Sequence, residues 1–417
     1  MRCCLLGLAL ALGIPAVALA QPPAPDPHPY FEQQTLAGGP LTLESALSLT
    51  ASHNASLAAA RKEVEALQGA ITQAGLLPNP DVSIRMEDTR RDARTTIAEF
   101  GIPIELGGKR SARIDAAERA RGVAIADLTL ARANIRAATV SAFFNVLMAQ
   151  EDVRLTQGAV EVAARAEDVA TRRVASGKVA PLEETRARVE RANADLALGQ
   201  SKAVLESARV SLSALWGASA PQFSEAVGDL ESLPERSPIS TLLAQLDNSP
   251  ELIVGRMEIE RRQATVQLER SRQYPDIRIT AGAQRDYALG RNQAIVGLSI
   301  PLPIFNRNQG NLYEATVRAD QAEDQLQATR IRLGQELQQA ASRLVFAKAA
   351  ASTLRLSVLP GAQQAYEVAT LGFEAGKFSF LDVLDAQRTL FQARLRYLSN
   401  LADTYQAAIA IDRILGR

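Results

Sequence analysis

The stretch FEAGKFSFLDVLDAQRTL, Phe373 to Leu390, carries two carboxylates three residues apart, Asp382 and Asp385. On a helix that spacing sets both on one face. Two acids so placed could divide acid and base roles, or hold negative charge toward a cation. Catalysis needs further groups, and the chain supplies few. The only histidines are His28, in a proline-rich stretch, and His53, beside a helix start. Cys3 and Cys4 are the only cysteines, and beyond the N-terminal segment the methionines are Met86, Met148 and Met257. No Ser/His/Asp set, phosphate loop or metal-ligand spacing stands out. The chain reads as a non-enzyme, with no cofactor and no metal site of its own expected.

The first twenty residues, MRCCLLGLALALGIPAVALA, combine Arg2, an apolar stretch from Leu5 and the small-residue end Ala18-Leu19-Ala20. That is the layout of a secretory signal peptide over residues 1–20. Cys3 and Cys4 lie too early to be a lipid-modified first residue, so export without an N-terminal lipid anchor is expected, and the mature chain has no thiol. Residues 21–40 open with QPPAPDPHPYF and read as an extended, proline-rich segment. Past Ala20 no apolar run reaches the roughly 18–20 residues of a spanning helix. Lys plus Arg number 46 against 46 for Asp plus Glu, a balance that points to no nucleic-acid partner.

An internal repeat organises the rest. Leu57 and Arg61 match Leu252 and Arg256, Pro80-Asp81 matches Pro275-Asp276, and Ile84 matches Ile279, all at a spacing of 195. Ile102-Pro103 then matches Ile300-Pro301 at 198, and Gly177-Lys178 matches Gly376-Lys377 at 199. The repeats span residues 41–217 and 241–417, and residues 218–240, with Pro221, Pro234 and Pro238, read as the linker. Each repeat holds a helix, two strands, a very long helix, a turn and a helix. From Lys109 to about Ala175 a 3-4 apolar spacing predicts one helix. Ile114, Leu128, Ile135 and Ala149 form one column and Ala117, Ala124, Ala131, Ala138 and Asn145 the other. The second repeat carries Leu312, Ala319, Leu326, Leu333 and Ala340 beside Ala315 and Ala322. At 1.5 Å per residue the first helix would be on the order of 100 Å long.

Hairpins are expected at about residues 80–104 and 275–302. Ile277, Ile279, Ala281 and Ala283 alternate with Arg278, Thr280, Gly282 and Gln284, and the other strands follow suit less strictly. One apolar and one polar face suits a transmembrane β-barrel, with lipid outside and water inside. Four strands are fewer than the eight of the smallest barrels, so closure needs other copies, and three copies give twelve strands. Pro103 with Gly107 and Gly108, and Pro301 with Pro303, fall where strand gives way to helix. The expected fold is a mixed α and β membrane protein. It combines a long α-helical coiled-coil barrel with four strands per chain in a trimeric 12-stranded transmembrane β-barrel.

Two hairpins, two very long helices and a duplication resemble the TolC family of outer-membrane efflux channels, over nearly all of the mature chain. GKFSFLDVLDAQRTL is similar to the family's second helix-turn-helix, and LLPNPDVSI to its entry into the first strand. IPIELGGKRSARIDAAE, Ile102 to Glu118, is similar to the CzcC-like heavy-metal branch, the outer-membrane components of cobalt–zinc–cadmium efflux systems. The resemblance implies a homotrimer seated in outer-membrane lipid. Its helical tunnel would reach a periplasmic membrane-fusion adaptor and an inner-membrane pump of the resistance-nodulation-division (RND) type. It implies that the turns at Gly177, Lys178, Gly376, Lys377, Phe378 and Ser379 meet the adaptor. It also implies that Asp382 and Asp385 ring the pore as a gate of six carboxylates. Beside that stands a capping reading, in which Ser379 and Asp382 close the first turn of a helix. Export of organic toxicants or polypeptides through the same fold, and a soluble periplasmic scaffold or adaptor, are the competing functions.

Overall fold

The computed structural model describes residues 39–88, 90 and 92–417; the expected signal peptide and most of the proline-rich segment lie outside them. In chain order the first half holds α1 (Leu43–His53), α2 (Ala55–Ala74), β1 (Asp81–Glu87), β2 (Thr95–Ile104), α3 (Lys109–Ala175) and α4 (Pro181–Ala214). The second half holds α5 (Ile239–Gln245), α6 (Pro250–Ser271), β3 (Ile277–Asp286), β4 (Arg291–Ser299), α7 (Gln309–Thr353), α8 (Leu359–Glu374) and α9 (Phe380–Leu415).

The residues that match between the halves do matching work. Asn54 accepts the Leu57 N–H at 3.0 Å and Ser249 accepts the Leu252 N–H at 3.4 Å, capping α2 and α6. Both leucines are buried. Arg61 folds back to the Ala51 carbonyl and Arg256 to the Asp247 carbonyl, at 2.8 and 2.7 Å. Helix ends repeat as well. Gly177 and Gly376 take φ of 69° and 73°. After them, Lys178 N–H reaches Arg173 O at 2.9 Å and Lys377 N–H reaches Gly372 O at 2.8 Å. Each is a Schellman closure, which needs a residue tolerant of left-handed backbone.

The 67 residues of α3 make a helix of about 100 Å. Its buried side chains are largely alanine, with Leu128, Phe143 and Val146 as larger anchors, and α4, α6 and α9 pack along it. The first expected column stays inward, with Leu128 and Ala149 buried and Ile135 half-buried, but in the second Ala138 and Asn145 are exposed, and Ala133, Ala137 and Val146 take the buried side. A helix of 3.6 residues per turn drifts about 20° per heptad, so a strict seven-residue column rotates away over several heptads. The second long helix is not uniform. Leu354–Val358 forms a π-helical turn between α7 and α8, closed by Leu359 N–H to Leu354 O. Pro360, in the first turn of α8, cannot donate to the carbonyl four residues back and its ring crowds it. The widened turn accommodates the ring.

The four strands form one antiparallel sheet in the order β1-β2-β3-β4, so the β2–β3 pairing joins the two halves. Cross-strand rows alternate in character. Val82, Phe100, Ala281 and Val296 align across the sheet, as do Ile84, Ala98, Ala283 and Ala294, and Ile102, Ile279 and Leu298. The intervening rows carry Ser83, Glu99 and Gly282, and Asp81, Gly101 and Thr280. The apolar rows face outward: Val82 is 72% and Val296 84% exposed. On the other face an Arg278–Asp81 ion pair spans β2 over Gly101, where a β-carbon would come within 3.1 Å of both groups.

Residues 218–240 are strapped down rather than free. The Gln150 amide grips Ala226 twice, accepting its N–H at 2.8 Å and donating to its carbonyl at 3.0 Å. Leu41 pairs with the same stretch, and Arg236 meets Asp412 at 2.8 Å. The Tyr405 hydroxyl points to the carbonyls of Asp229 and Ser232, at 3.0 and 2.8 Å. Burial, with Asp229 and Tyr397 adding to it, pushes that phenol up to about 12. It therefore stays a donor at any physiological pH.

Gly282 offers a test of the sheet. A β-carbon there would collide with the Ala98 carbonyl and lie 2.9 Å from Glu99 Cα. Gly282→Ala is expected to cost about 1–3 kcal/mol by overpacking. Gly310→Ala, on α7 with open space around it, should be neutral or stabilising. Thermal unfolding of the two purified variants in detergent checks the contrast; equal midpoints would refute it.

Candidate functional site

The two inter-helix turns, α3–α4 and α8–α9, lie side by side at the ends of the long helices. A small apolar cluster joins them: Ala170 and Ala187 from the first half, Ala369, Phe373, Val383 and Leu384 from the second. Arg173 locks the pair. Its guanidinium donates to the Phe373 carbonyl at 2.9 Å and lies 4.0 Å from the centre of the Phe373 ring. Lys178, Lys377, Gly177 and Gly376 are all exposed at the turns. Phe378 is half-exposed and its ring rests on Gly372, where a β-carbon would strike it.

The two aspartates are both exposed, but their surroundings differ. Asp382 belongs to a complete capping box. Its Oδ2 accepts the Ser379 hydroxyl at 2.7 Å and the Ser379 N–H at 2.8 Å, while Ser379 Oγ accepts the Asp382 N–H at 3.3 Å. Those bonds, the hydroxyl first, hold the Asp382 carboxyl below its ordinary range. Asp385, one turn on, makes no ion pair within 4 Å among the described residues. Beside it Arg388 is held by both oxygens of Glu190 on α4, at 3.1 and 2.5 Å. Glu190 above all, with Asp385 adding, raises the guanidinium further. The first-half turn is built differently. Pro181 opens α4 with no side-chain cap, and Glu183 and Glu184 pair with Arg186 and Arg188 at 3.3 and 2.8 Å. Only the second turn leaves a carboxylate open.

The strand-to-helix junctions form the other end of the long helices. Pro103 is the penultimate residue of β2, opposite Arg278. Gly107 and Gly108 follow at φ 70° and 72°, and a β-carbon on Gly107 would lie 2.6 Å from the Tyr274 ring. Pro301 and Pro303 lie in the irregular stretch after β4. Asn308, at φ 59°, precedes α7 and donates to both the carbonyl and the carboxylate of buried Glu269, at 2.8 and 2.7 Å. Lys109 pairs with Asp276 at 2.7 Å, and Arg113 with Glu105. Sequence reasoning found the prolines and glycines here but not these polar links. Lys109 and Asp276, and Asn308 and Glu269, lie far apart in the chain, and although Arg113 stands only eight residues from Glu105, nothing in the residues alone pairs them.

Among the described residues no group of three or more His, Asp or Glu side chains is placed to hold a metal ion. No described helix is long and apolar enough to cross a membrane. An open-edged sheet with one apolar face, continuous with a helix of about 100 Å, has the architecture of the channel-forming outer-membrane class. The chain belongs to the outer membrane efflux protein family, whose model matches it twice, at residues 46–218 and 242–417. It is 54% identical to the cobalt-zinc-cadmium resistance protein CzcC of Cupriavidus metallidurans over 413 residues, 99% of this chain and 98% of that one. The nickel and cobalt resistance protein CnrC of the same organism is 28% identical over 350 residues, covering 81% of this chain and 78% of that one. Among solved structures, the outer membrane protein VceC of Vibrio cholerae superposes with a TM-score of 0.75 at 20% identity. The match covers 90% of this chain and 96% of that one. The channel CusC gives 0.75 at 16% identity, over 89% and 91%. The protein is an outer-membrane efflux component.

Asp382 sets a pH test. Its folded-state pKa is depressed, so its contribution is complete above the ordinary carboxylate range and is lost as pH falls through the depressed value. Amide exchange in the first turn of α9, corrected for intrinsic rates, should lose protection as pH drops below about 4. Ser379→Ala should show that loss already at neutral pH. Protection independent of both changes would mean the cap contributes nothing.

Proposed function

We propose that three copies close into a twelve-stranded barrel through the free edges of β1 and β4. Their helices would continue it as a tunnel through the periplasm. Two features of the single chain support this. Each sheet edge leaves backbone donors and acceptors that lipid cannot satisfy, at several kcal/mol apiece. α4 also carries an apolar stripe every seven residues, Leu182, Val189, Leu196, Ala203 and Val210, all exposed in the single chain. A neighbouring protomer would cover it. On this reading residues 1–20 direct export and are removed, and two repeats, 41–217 and 241–417, supply half of each protomer's barrel and tunnel.

The exported substrate is a divalent heavy-metal cation of the cobalt, zinc and cadmium class. The observation that carries this is the 54% identity to CzcC along essentially the whole chain. A periplasmic adaptor would dock on the turns at Gly177–Lys178 and Gly376–Ser379, delivering cation from an inner-membrane RND pump. The channel hydrolyses nothing and holds no resident metal; Asp382 and Asp385 line the narrow end and attract cations by charge. Asp385 carries the larger share, because Asp382 is also engaged in its cap.

Deleting the gene should sensitise cells to zinc, cobalt and cadmium and leave tolerance to dyes and detergents unchanged; the reverse pattern would assign an organic substrate. In planar bilayers, Asp385→Asn should lower the cation selectivity of the trimer more than Asp382→Asn. Selectivity unaltered by both would remove these residues from the pore.

A further inference from the structure

We infer that the outer rim of the barrel carries a binding site for a phosphate-bearing lipid headgroup, built from Arg94, Arg285 and Tyr287. The inference rests on the outer-membrane barrel reading and adds a ligand to it. The hairpin ends of the sheet point away from the long helices, so in the barrel they face the outer leaflet. β2 spans ten residues, Thr95 to Ile104, about the length a tilted strand needs to cross the hydrocarbon layer. Arg94 therefore lies at the headgroup boundary.

Register decides which way these side chains project. Met86, Thr96, Arg285 and Asn292 form one cross-strand row. That row has the same parity as the outward apolar rows through Val82, Phe100 and Val296. Arg94 and Tyr287 extend that face by one more step, joined by the Tyr287 N–H to the Arg94 carbonyl at 3.1 Å. The Arg94 guanidinium lies 4.3 Å from the centre of the Tyr287 ring and that of Arg285 lies 5.7 Å from it. Two cations thus share one interfacial tyrosine on the lipid-facing side.

Among the described residues neither Arg94 nor Arg285 forms an ion pair within 4 Å. Arg285 donates only to the neutral Asn292 amide at 2.9 Å, and Arg94 Nε is buried with no hydrogen-bond partner. Two of the acids nearby, Asp88 and Asp286, are engaged elsewhere. Asp88 is held by Arg90 at 2.9 Å, and Asp286, on the opposite face, caps the Ala288 and Leu289 N–H groups at 2.9 Å. Paired guanidinium forks match phosphate oxygens in both charge and geometry. The tyrosine beneath fixes their spacing at the depth where aromatic side chains anchor in a membrane. A phosphorylated glycolipid of the outer leaflet supplies that anion, with acyl chains running down Met86 and the apolar rows below.

The test uses the full-length trimer in detergent and native mass spectrometry with lipid A-type glycolipid, intact or enzymatically dephosphorylated. The intact lipid should bind at least tenfold more tightly than the dephosphorylated form. Arg94→Gln combined with Arg285→Gln should abolish that preference. Charge changes near the interface cost a barrel little, so the variant should assemble. Equal binding of the two lipids, or a preference kept by the double variant, would overturn the proposal. So would competition by millimolar inorganic phosphate that displaces the lipid completely, which would make this a site for the free anion. Conductance in bilayers lacking the glycolipid separates the two levels. Conduction by wild type and variant without any phosphate preference sinks the lipid site alone. Failure of both to conduct sinks the channel reading beneath it.

Discussion

The unsatisfied edge of a four-stranded sheet governs this molecule. A strand edge in water can be hydrated, but in hydrocarbon it has no partner, and β1 and β4 each present one. A sheet apolar on its outer face cannot escape this by turning over, because its other face carries Arg278, Asp81 and Glu99. Closure with further copies, as proposed, would remove the edges and place the charged rows toward water. The demand propagates downward through the junctions. Left-handed backbone at Gly108 and Asn308 turns each strand into a long helix, and the Lys109–Asp276 pair and the Asn308–Glu269 bonds fix the exit angle. The helices inherit the spacing the strands impose, and alanine along α3 lets neighbours approach closely enough to follow it.

Much of this was legible in the residues. The matches at 195 to 199 residues identified positions that turn out to share a mechanism: a cap, a buried leucine and an arginine folding back on the preceding carbonyl. The alternation of β3 was read correctly because period two leaves few alternatives. The long first helix was visible because 3-4 spacing persisted beyond what any compact domain needs. Other features were hidden for physical reasons. The drift that exposes Ala138 and Asn145 comes from the difference between 3.6 and 3.5 residues per turn, which a heptad template suppresses. The π turn required treating Pro360 as a proline accommodated by a widened helix rather than one that ends it. The strap formed by residues 218–240 depends on Gln150, Tyr405 and Asp412, which meet only once the helices are in place.

The capping box at the second turn was legible. Spacing put Asp382 and Asp385 on one face and also identified the capping box, yet could not apportion the two roles. Geometry shows the cap alone: the Asp382 carboxylate is engaged with Ser379, and that of Asp385 is exposed. The same asymmetry separates the two turns. Glu183 and Glu184 are matched by arginines on their own helix, so the first turn is electrostatically closed within itself. The two turns thus match in their glycine closures and differ in how their acids are paired.

The π turn at Leu354–Val358 has a consequence for how this chain can change over time. In an unbroken helix, adding or losing one residue rotates everything beyond it by about 100°, moving a whole face out of contact. A turn that already holds five residues per hydrogen bond can take up such a slip locally. The stretch between the sheet and the α8–α9 turn can therefore grow or shrink without dislodging Phe373 from Arg173. The second long helix thus has a length adjuster that α3 lacks, so descendants can vary its reach with the turn at its end left intact.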